Sequence, residues 1–254
     1  MRGQPRAAAS AAGAHFLRDR RLIGCLVGAS GAGRGSLVLD LGAGYGAITA
    51  ALADTGARVI AVERDPRLAG RLSRRFADDS RVRVVAADVR DVPLPHRDFL
   101  VVANIPFGVT TNLLRRLLGD PGVPLAGAEL IVADGVARWL TAARPRDEET
   151  AWWTTRYRIR RARRVLAGSF APPPSVAAAH LSIRPAPLAG SARGQRVLRG
   201  MLREAYGGRR PLQVSRRLLV RAGIDPGTPA AELTSGEWRD LAGLLATTGP
   251  AAGR

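Results

Sequence analysis

Residues 36–49, SLVLDLGAGYGAIT, join a short apolar run to three glycines at alternate positions. The apolar run predicts a buried strand, and Gly42, Gly44 and Gly46 predict a turn that leads into a helix. Glycines at such a turn let the backbone approach a ligand closely at a helix N-terminus. An ordinary tight turn between a strand and a helix explains the same glycines, so the flanking sequence has to decide between the two interpretations.

The flanking sequence alternates between short β-rich runs and helical stretches up to about residue 184. Such alternation predicts parallel strands joined by crossover helices, which is the doubly wound α/β class. The successive stretches are SLVLDLG, AITAALADTG, ARVIAVERD, PRLAGRLSRRFADD, RVRVVAADV, DFLVVANIPF, TNLLRRLLG, AELIVADG, YRIRR and AAAHLSIRP.

The pattern changes after Pro185, where three helices are predicted over residues 193–206, 211–222 and 234–246. We therefore predict an α/β fold, with a Rossmann-like doubly wound sheet in a catalytic domain (residues 1–187) and a small all-helical domain in residues 188–254. Residues 1–12 and 246–254 are small and polar enough to be flexible ends.

The charge balance indicates a polyanionic partner. The chain has 254 residues, with 39 Lys and Arg against 21 Asp and Glu, giving a net charge of +18. Every basic residue is arginine, which a genome rich in G and C explains, but that bias does not explain the excess of base over acid. Because so large a charge repels itself in a compact chain, nucleic acid is the favoured partner and an anionic membrane surface the weaker alternative.

Other classes of protein are excluded by what the sequence lacks. The single cysteine, Cys25, excludes a disulfide framework, and the three histidines are too far apart in sequence to suggest a zinc site. No apolar run approaches the roughly 20 residues that cross a bilayer. We expect a cytoplasmic monomer without a metal or a membrane anchor.

The ends of the predicted strands indicate which cofactor the glycine loop holds. Glu63 follows the loop by about 20 residues, where an acidic side chain can accept both ribose hydroxyls of a nucleoside. The glycines are spaced G-x-G-x-G, with Asp40 two residues before the first. The next strand ends at Asp88, which can accept a hydrogen bond from an adenine amino group, and the one after it ends in Asn-Ile-Pro-Phe. This combination favours S-adenosylmethionine over NAD.

Several blocks, in order, resemble the ribosomal RNA adenine N6-methyltransferases, and within them the erythromycin-resistance (Erm) branch that acts on large-subunit rRNA. The resemblance extends from about residue 15 to residue 245, and NIPF at 104–107 is its most specific part. The other blocks are DLGAGYG, Glu63, DVRDV at 88–92, LIVADGVARWL at 130–140, SFAPPPSVAAAHLSI at 169–183 and QVSRRLLVRAGI at 213–224. The family usually opens with Gln-Asn-Phe-Leu, whereas this chain has Ala14-His15-Phe16-Leu17, a difference that bears on cofactor affinity more than on activity.

The resemblance implies a set of site residues. It assigns to Asn104, and to the backbone carbonyl of Ile105 or Pro106, the hydrogen bonds from the adenine N6 protons. Phe107 is expected to stack on the extruded base, with Phe170 as the opposing wall or, alternatively, as a core aromatic. Tyr45 is expected either near the methionine part of the cofactor or exposed to solvent. The cofactor-binding residues implied are His15, Leu17, Asp40, Gly42, Gly44, Gly46, Glu63, Arg64, Asp88, Val89 and Asn104.

Arginines near the predicted catalytic residues and along the chain after them are the candidates for RNA contact. Arg156, Arg158 and Arg160 alternate with other residues, so a strand there is expected to carry arginine on one face. A solvated charged face is the alternative. The proposed contacts are Arg115, Arg116, Arg160, Arg161, Arg163, Arg164, Arg209 and Arg210.

The leading hypothesis is methylation of an adenine N6 in the peptidyl-transferase loop of 23S rRNA, as protein-free RNA or an early precursor, giving resistance to macrolide, lincosamide and streptogramin B antibiotics. The alternatives are a 16S rRNA adenine dimethyltransferase of ribosome maturation and a non-catalytic RNA-binding relative. In either enzyme, Asn104 is the residue expected to be essential for methyl transfer.

Overall fold

A computed structural model describes residues 15–186, 192–208, 212 and 214–247. The strands are β1 (Phe16–Leu17), β2 (Leu37–Leu41), β3 (Arg58–Glu63), β4 (Val82–Ala86), β5 (Phe99–Asn104), β6 (Leu125–Ala133), β7 (Tyr157–Val165), β8 (Phe170–Ala171) and β9 (Ala178–Pro185). The helices are α1 (Arg20–Ser30), α2 (Ala47–Asp54), α3 (Pro66–Arg75), α4 (Thr110–Leu118), α5 (Asp134–Leu140), α6 (Glu148–Arg156), α7 (Ala192–Gly208), α8 (Arg216–Arg221) and α9 (Ser235–Thr247).

The central sheet has seven strands in the order β4-β3-β2-β5-β6-β9-β7. Strands β2 to β6 are parallel to one another, and β9 runs antiparallel to both β6 and β7. The predicted α/β class is therefore confirmed. The expectation of parallel strands as far as residue 184 is wrong for the last two stretches, which form the antiparallel strands β7 and β9. From β2 the chain runs outward to β3 and β4 and then returns to place β5 on the other side of β2. The carboxyl ends of β2 and β5 flank this switch point, which is where open α/β sheets bind ligands.

The middle strands are mostly apolar because both faces of the sheet are covered. In β2, Val38 packs with α1 and α2 on one face, while Leu37, Leu39 and Leu41 pack in the larger core on the other face. All five residues of β2 are buried. This explains why the runs read from the sequence lack the polar alternation of a half-exposed strand.

Helices α1, α5 and α6 lie outside the stretches predicted from the sequence. Helix α1 begins after Asp19, whose carboxylate accepts hydrogen bonds from the backbone N–H groups of Arg21 and Leu22. Helix α6 begins after Asp147 in the same way, with Thr150 as the donor. None of the helices in the described part of the chain is long and apolar enough to cross a membrane.

The structure corrects the expectation for Arg156. This residue ends α6 instead of lying on a strand, and it is 1% exposed. Its guanidinium carbon lies 4.5 Å from the ring centroid of Trp152 and 5.2 Å from that of Tyr157. One guanidinium nitrogen donates to the carbonyl oxygen of Leu118 at 2.7 Å. The side chain is therefore a structural cation held between aromatic rings.

Among the residues that the structure describes after β9 there are three α-helices, in agreement with the sequence pattern, although α8 is shorter than predicted. Trp238 and Leu241 of α9 and Leu202 of α7 are buried in the same core cluster as Trp153 of α6. The helical part thus packs on the catalytic part through α6. The division predicted near residue 188, residues 1–12 and residues 248–254 lie outside the described residues. The C-terminal end predicted to be flexible begins at residue 246, whereas α9 continues through Thr247.

Candidate active site

The glycine loop and the Asn-Ile-Pro-Phe segment meet at the switch point of the sheet. Gly42 has φ of +82°, and a Cβ built there would lie 3.4 Å from Cδ of Pro106 and 3.7 Å from the carbonyl oxygen of Asn104. Gly46, with φ of +77°, begins the turn into α2. The structure therefore brings together the loop predicted to hold the cofactor and the residues predicted to act in catalysis.

Glu63 ends β3 beside this loop and shapes it. One carboxylate oxygen, Oε2, accepts a hydrogen bond from the backbone N–H of Gly44 at 2.8 Å, and Oε1 accepts one from the N–H of Asp65 at 2.9 Å. Each carboxylate oxygen has more than one acceptor site. The side chain can therefore hold the loop and still accept ribose hydroxyls.

Asp40 is a buried carboxyl group, and one of its two oxygens lacks a hydrogen-bond partner among the described residues. It is 1% exposed, and Oδ2 accepts a hydrogen bond from the hydroxyl of Thr49 in α2 at 2.6 Å. The other oxygen, Oδ1, has no hydrogen-bond partner within the described residues. Burial raises the pKa of Asp40 to about 7. A cation with N–H donors would satisfy Oδ1 and favour the ionised form, and S-adenosylmethionine carries an ammonium group of this kind.

Asp88 follows β4 and is held ionised by its neighbour Arg90. Its two carboxylate oxygens accept from Nε of Arg90 at 2.9 Å and from Nη2 at 2.8 Å. These hydrogen bonds lower the pKa of Asp88 to about 2. Arg64, exposed next to Glu63, lowers the pKa of Asp88 further through its charge. The carboxylate is therefore a permanent acceptor near the loop.

Residues 15–19, here called the N-terminal strap, connect the glycine loop to the catalytic segment. The side-chain nitrogen of Asn104 donates to the backbone carbonyl of His15 at 2.6 Å. The ring of Phe16 packs edge-on against Tyr45, with 4.6 Å between the ring centroids. Leu17 is buried in the core formed with α1 and α2 and pairs with Phe170 across β1 and β8.

The rings of Phe107 and His15 lie near each other beside Asn104. Their centroids are 6.0 Å apart, and the ring planes are tilted by 38°. Nδ1 of His15 lies 3.0 Å from the carbonyl oxygen of Pro172. Tyr45 is 52% exposed, and the guanidinium of Arg71 lies over its ring. Phe107 is partly buried beside the catalytic segment, and its stacking role stays a prediction.

The structure corrects the predicted role of Phe170 as the opposing wall. This ring is 1% exposed and packs with Leu17, Val165 and Ala178 in the core. A ring buried on all sides has no face to offer a base. The alternative that the sequence left open, a core aromatic, describes its position.

The arginines of β7 lie on both faces of the edge strand, which corrects the expectation of a single basic face. The pairing register with β9 shifts between Arg161 and Arg163. As a result, Nε of Arg161 reaches the carboxylate of Asp134 at 2.6 Å, whereas Nη1 of Arg163 lies 3.6 Å from Sγ of Cys25 in α1. The bulge turns neighbouring arginines in opposite directions. Arg160 and Arg164 are exposed.

The two arginines that follow the catalytic segment are both engaged within the protein. Arg115 pairs with Glu149 of α6 at 2.9 Å. Arg116 donates to the carbonyl oxygens of Val89 and Val92, both at 2.5 Å. Arg116 thus holds the segment that carries Asp88, a role that its position in the sequence does not reveal. Arg209 and Arg210 lie outside the described residues.

Sequence reasoning missed Thr49, Arg90 and the carbonyl of His15, all of which shape the site. The first two lie within a few residues of loop positions that the sequence singles out, which was the available signal. The described residues contain no group of three or more His, Cys, Asp or Glu arranged to hold a metal ion.

Comparison with known proteins adds family and fold relationships. The family model described as ribosomal RNA adenine dimethylase matches residues 7–224. The mycinamicin-resistance protein MyrB of Micromonospora griseorubida is 36% identical over 253 residues, covering 93% of this chain and 79% of that protein. Ribosomal RNA small subunit methyltransferase A of Synechococcus sp. (strain WH7803) is 33% identical over 258 residues, covering 91% of each chain.

Among solved structures, the 23S rRNA methyltransferase ErmE matches with a TM-score of 0.76 and 25% identity, covering 90% of this chain and 98% of that one. The chain spans 60% of the length of two Bacillus relatives that carry the name rRNA adenine N-6-methyltransferase.

Proposed function

Because the chain belongs to the ribosomal RNA adenine dimethylase family, we propose that it transfers a methyl group from S-adenosylmethionine to N6 of an adenine in 23S rRNA. The observation that carries the proposal is the contact between Gly42 and the segment of Asn104 and Pro106 at the switch point. It brings a cofactor loop and a set of base-recognising groups to one edge of the sheet.

The residues around the glycine loop fit the parts of S-adenosylmethionine. Asp40, with its unpaired Oδ1, would take the ammonium group, Glu63 the ribose hydroxyls and Asp88 the adenine amino group. When bound, the cofactor supplies an electrophilic methyl group on a sulfonium. Gly42 lets the loop approach residues 104–106 closely, because a Cβ there would lie 3.4 Å from Cδ of Pro106.

Two acceptors orient the target adenine. Since Nδ2 of Asn104 is bonded to the carbonyl of His15, Oδ1 is the atom that faces outward as an acceptor for an N6 proton. The carbonyl of Pro106 already accepts from the N–H of Val109 at 3.0 Å. This favours the carbonyl of Ile105 as the second acceptor. Hydrogen bonds from both N6 protons direct the lone pair of N6 toward the methyl group, and preorganised acceptors cost no reorganisation during the reaction.

Base recognition and RNA binding complete the proposal. Phe107 stacks on an adenine that is unpaired or flipped out, an interaction worth about 1–3 kcal/mol. The exposed arginines Arg160 and Arg164 on β7 and the helical part of residues 188–254 contact RNA phosphates. The chain acts as a monomer, and its substrate is protein-free 23S rRNA or an early precursor.

The large-subunit substrate is favoured by the likeness to the 23S rRNA methyltransferase ErmE and to the mycinamicin-resistance protein. On this basis the modification confers resistance to macrolide, lincosamide and streptogramin B antibiotics. The 33% identity to a small-subunit methyltransferase over 91% of both chains supports a second candidate, dimethylation of 16S rRNA during ribosome maturation.

The test is in vitro methylation with labelled S-adenosylmethionine of four substrates: protein-free 23S rRNA, 50S subunits, protein-free 16S rRNA and 30S subunits. We expect label in protein-free 23S rRNA, mapped by primer extension to an adenine of the peptidyl-transferase loop. Label in 16S rRNA or 30S subunits instead would select the second candidate. Absence of transfer to all four, with RNA binding retained, would indicate a non-catalytic relative.

A further inference from the structure

A groove of about 380 Å³ lies away from the catalytic residues, where the end of α5, the start of β7 and the start of α9 come together. Its polar lining includes Thr141, Thr154, Arg158, Ser235 and Arg239. None of the described residues that line it is acidic. The groove therefore combines two guanidinium groups with hydroxyls. The carboxylate of Glu237 borders it, but that group already accepts hydrogen bonds from the N–H and the hydroxyl of Thr234.

Arg239 is fixed in this groove by the end of α6. Its Nη2 donates to the carbonyl oxygen of Thr154 at 2.7 Å, and its Nε donates to that of Thr155 at 3.2 Å. Carbonyls at a helix C-terminus attract a cation. The remaining N–H groups of the guanidinium are preorganised to bind a further acceptor.

Arg158 is the second cation, and its guanidinium has neither a hydrogen bond nor an ion pair in the part of the chain that the structure describes. The two arginines are close enough to repel each other: burial lowers the pKa of Arg239, Arg158 lowers it further, and Asp240 offsets this only in part. An anion between the two guanidiniums would relieve this repulsion. Helix α9, with 13 residues, begins at the same groove with Ser235 and Gly236, and its N-terminus is capped by the carboxylate of Glu237.

We propose that this groove binds one phosphate group of the RNA substrate backbone, through Arg158 and Arg239. The RNA as the source of the phosphate rests on the function proposed above. Two guanidiniums match a phosphate because each presents N–H donors in a planar fork. A chain of net charge +18 has a polyanion as its natural ligand. In this groove Arg158 has no partner among the described residues, and the hydrogen-bond partners of Arg239 are backbone carbonyls.

The groove is remote from the reacting base. Ile159, in its lining, is six residues along β7 from Val165, which pairs with Ala178 at the catalytic edge of the sheet. At about 3.3 Å per residue the separation is roughly 20 Å. A phosphate held here anchors RNA several nucleotides from the target adenine. Its loss should weaken RNA binding without slowing methyl transfer in the bound complex.

The test is the salt dependence of RNA binding by the full chain, measured with a 23S rRNA fragment containing the peptidyl-transferase loop and, separately, a 16S rRNA fragment. The variants are Arg158→Gln and Arg158→Lys. The control is Arg58→Gln, which removes an exposed arginine at the start of β3, on the other half of the sheet. A plot of log K against log salt has a slope proportional to the number of phosphates contacted.

We expect Arg158→Gln to reduce the magnitude of the slope by about 0.7–0.9, which corresponds to one phosphate. At moderate salt we expect it to weaken binding about three- to tenfold. Arg158→Lys should keep most of the slope, and Arg58→Gln should change it little. Equal slopes for Arg158→Gln and Arg58→Gln would overturn the proposal.

A second measurement identifies the source of the phosphate. Inorganic phosphate at millimolar concentration should displace RNA from the unsubstituted protein and from Arg158→Gln to the same extent. If inorganic phosphate displaces RNA from the unsubstituted protein but not from Arg158→Gln, the groove is a site for a small free anion instead. RNA binding is measured without methyl transfer, so this proposal and the proposed function can fail independently. A protein inactive on every rRNA can still show the one-phosphate change in slope, and an active protein can fail to show it.

Discussion

The side-chain nitrogen of Asn104 donates a hydrogen bond of 2.6 Å to the backbone carbonyl of His15. The contact joins the catalytic segment after β5 to the N-terminal strap, 89 residues earlier in the chain. It fixes which end of the Asn104 amide faces the strap and which end is left for a substrate. Since the acceptor is a backbone atom, the contact does not depend on the side chain at residue 15. The departure from the family pattern at Ala14 and His15 therefore leaves it intact.

Replacement of Asn104 should have a much larger effect than replacement of His15. Asn104→Ala removes the acceptor for N6 and should lower kcat by about 100-fold or more, as for other preorganised groups at a reacting atom. His15→Ala retains the backbone carbonyl and should lower kcat less than tenfold. Single-turnover methylation of rRNA measures both.

Asn104→Ala should leave RNA affinity within about threefold of the original, because binding is carried mainly by phosphate contacts. Little loss of kcat in Asn104→Ala would show that the Asn104 amide does not govern the reaction, and a loss in His15→Ala as large as in Asn104→Ala would show that the His15 ring is needed as well.

Gly44→Ala should disrupt the cofactor loop. Gly44 has φ of +56°, and a Cβ there would lie 2.8 Å from Cδ1 of Phe16. A left-handed non-glycine residue costs about 1–3 kcal/mol, and the contact with Phe16 adds to that cost. We expect a lower Tm and at least a tenfold weaker affinity for S-adenosylmethionine by calorimetry.

Gly24→Ala, in α1, is the matched control, since a Cβ there has nothing within 4 Å. It should keep full cofactor affinity. Phe16→Ala added to Gly44→Ala should recover part of the lost Tm. Full affinity in Gly44→Ala alone would mean that the loop does not hold the cofactor as proposed.

The raised pKa of Asp40 predicts a pH dependence with a definite sign. Its pKa is about 7 in the folded chain against 3.8 for the ordinary group. Between these values the folded state binds the extra proton, so this group lowers the free energy of unfolding as pH rises from about 4 to 7, by at most about 1.4 kcal/mol per pH unit. Asp40→Asn removes the titration and should flatten this decline, which denaturant unfolding at pH 5, 6, 7 and 8 measures.

Cofactor binding should show the opposite trend. An ammonium group beside Oδ1 favours ionised Asp40, so binding releases a proton and affinity rises with pH up to about 7. Calorimetry in two buffers of different ionisation enthalpy should detect this proton release near pH 6. Asp40→Asn should bind S-adenosylmethionine more weakly and without proton release. If Asp40→Asn releases as many protons on cofactor binding as the unsubstituted protein, the protons come from another group.

The sequence predicts the parallel strands β2 to β6 well, because each is a local apolar run, but not the order of the strands or the antiparallel pairing of β9 with β6 and β7. Gly42, Glu63, Asp88 and Asn104 each follow a recognisable apolar run, and parallel strands carry such residues to one edge. The order of these runs was therefore enough to predict that the four positions lie near one another.

Contacts between distant segments could not be predicted in this way. The pattern around Arg156 is the same for an edge strand and for the end of a helix, and only the rings of Trp152 and Tyr157 and the carbonyl of Leu118 decide between them. Phe170 is equally ambiguous, because an aromatic next to prolines is found both in cores and in binding sites. The bulge between Arg161 and Arg163 reverses the faces of β7 without any glycine or proline to mark it.

Arg115 and Arg116 offer a direct test of a structural against an RNA-binding role, because they are adjacent and both were predicted to contact RNA. Arg116 donates to the carbonyls of Val89 and Val92, next to Asp88. Arg116→Ala leaves two carbonyls without their donor and frees the segment expected to hold the cofactor adenine. We expect KM for S-adenosylmethionine to rise about tenfold, as for the loss of a charged hydrogen bond, with kcat much less affected.

Arg115→Ala is the matched control, because its partner Glu149 is exposed and an exposed ion pair contributes under about 1 kcal/mol. It should leave KM for the cofactor unchanged and lower Tm only slightly. If both variants instead weaken RNA binding equally and leave KM for S-adenosylmethionine unchanged, Arg116 contacts RNA as the sequence suggests and does not position the cofactor segment. Steady-state kinetics with each substrate varied in turn separates these outcomes, since the positioning role changes the cofactor KM and the RNA-contact role changes the RNA KM.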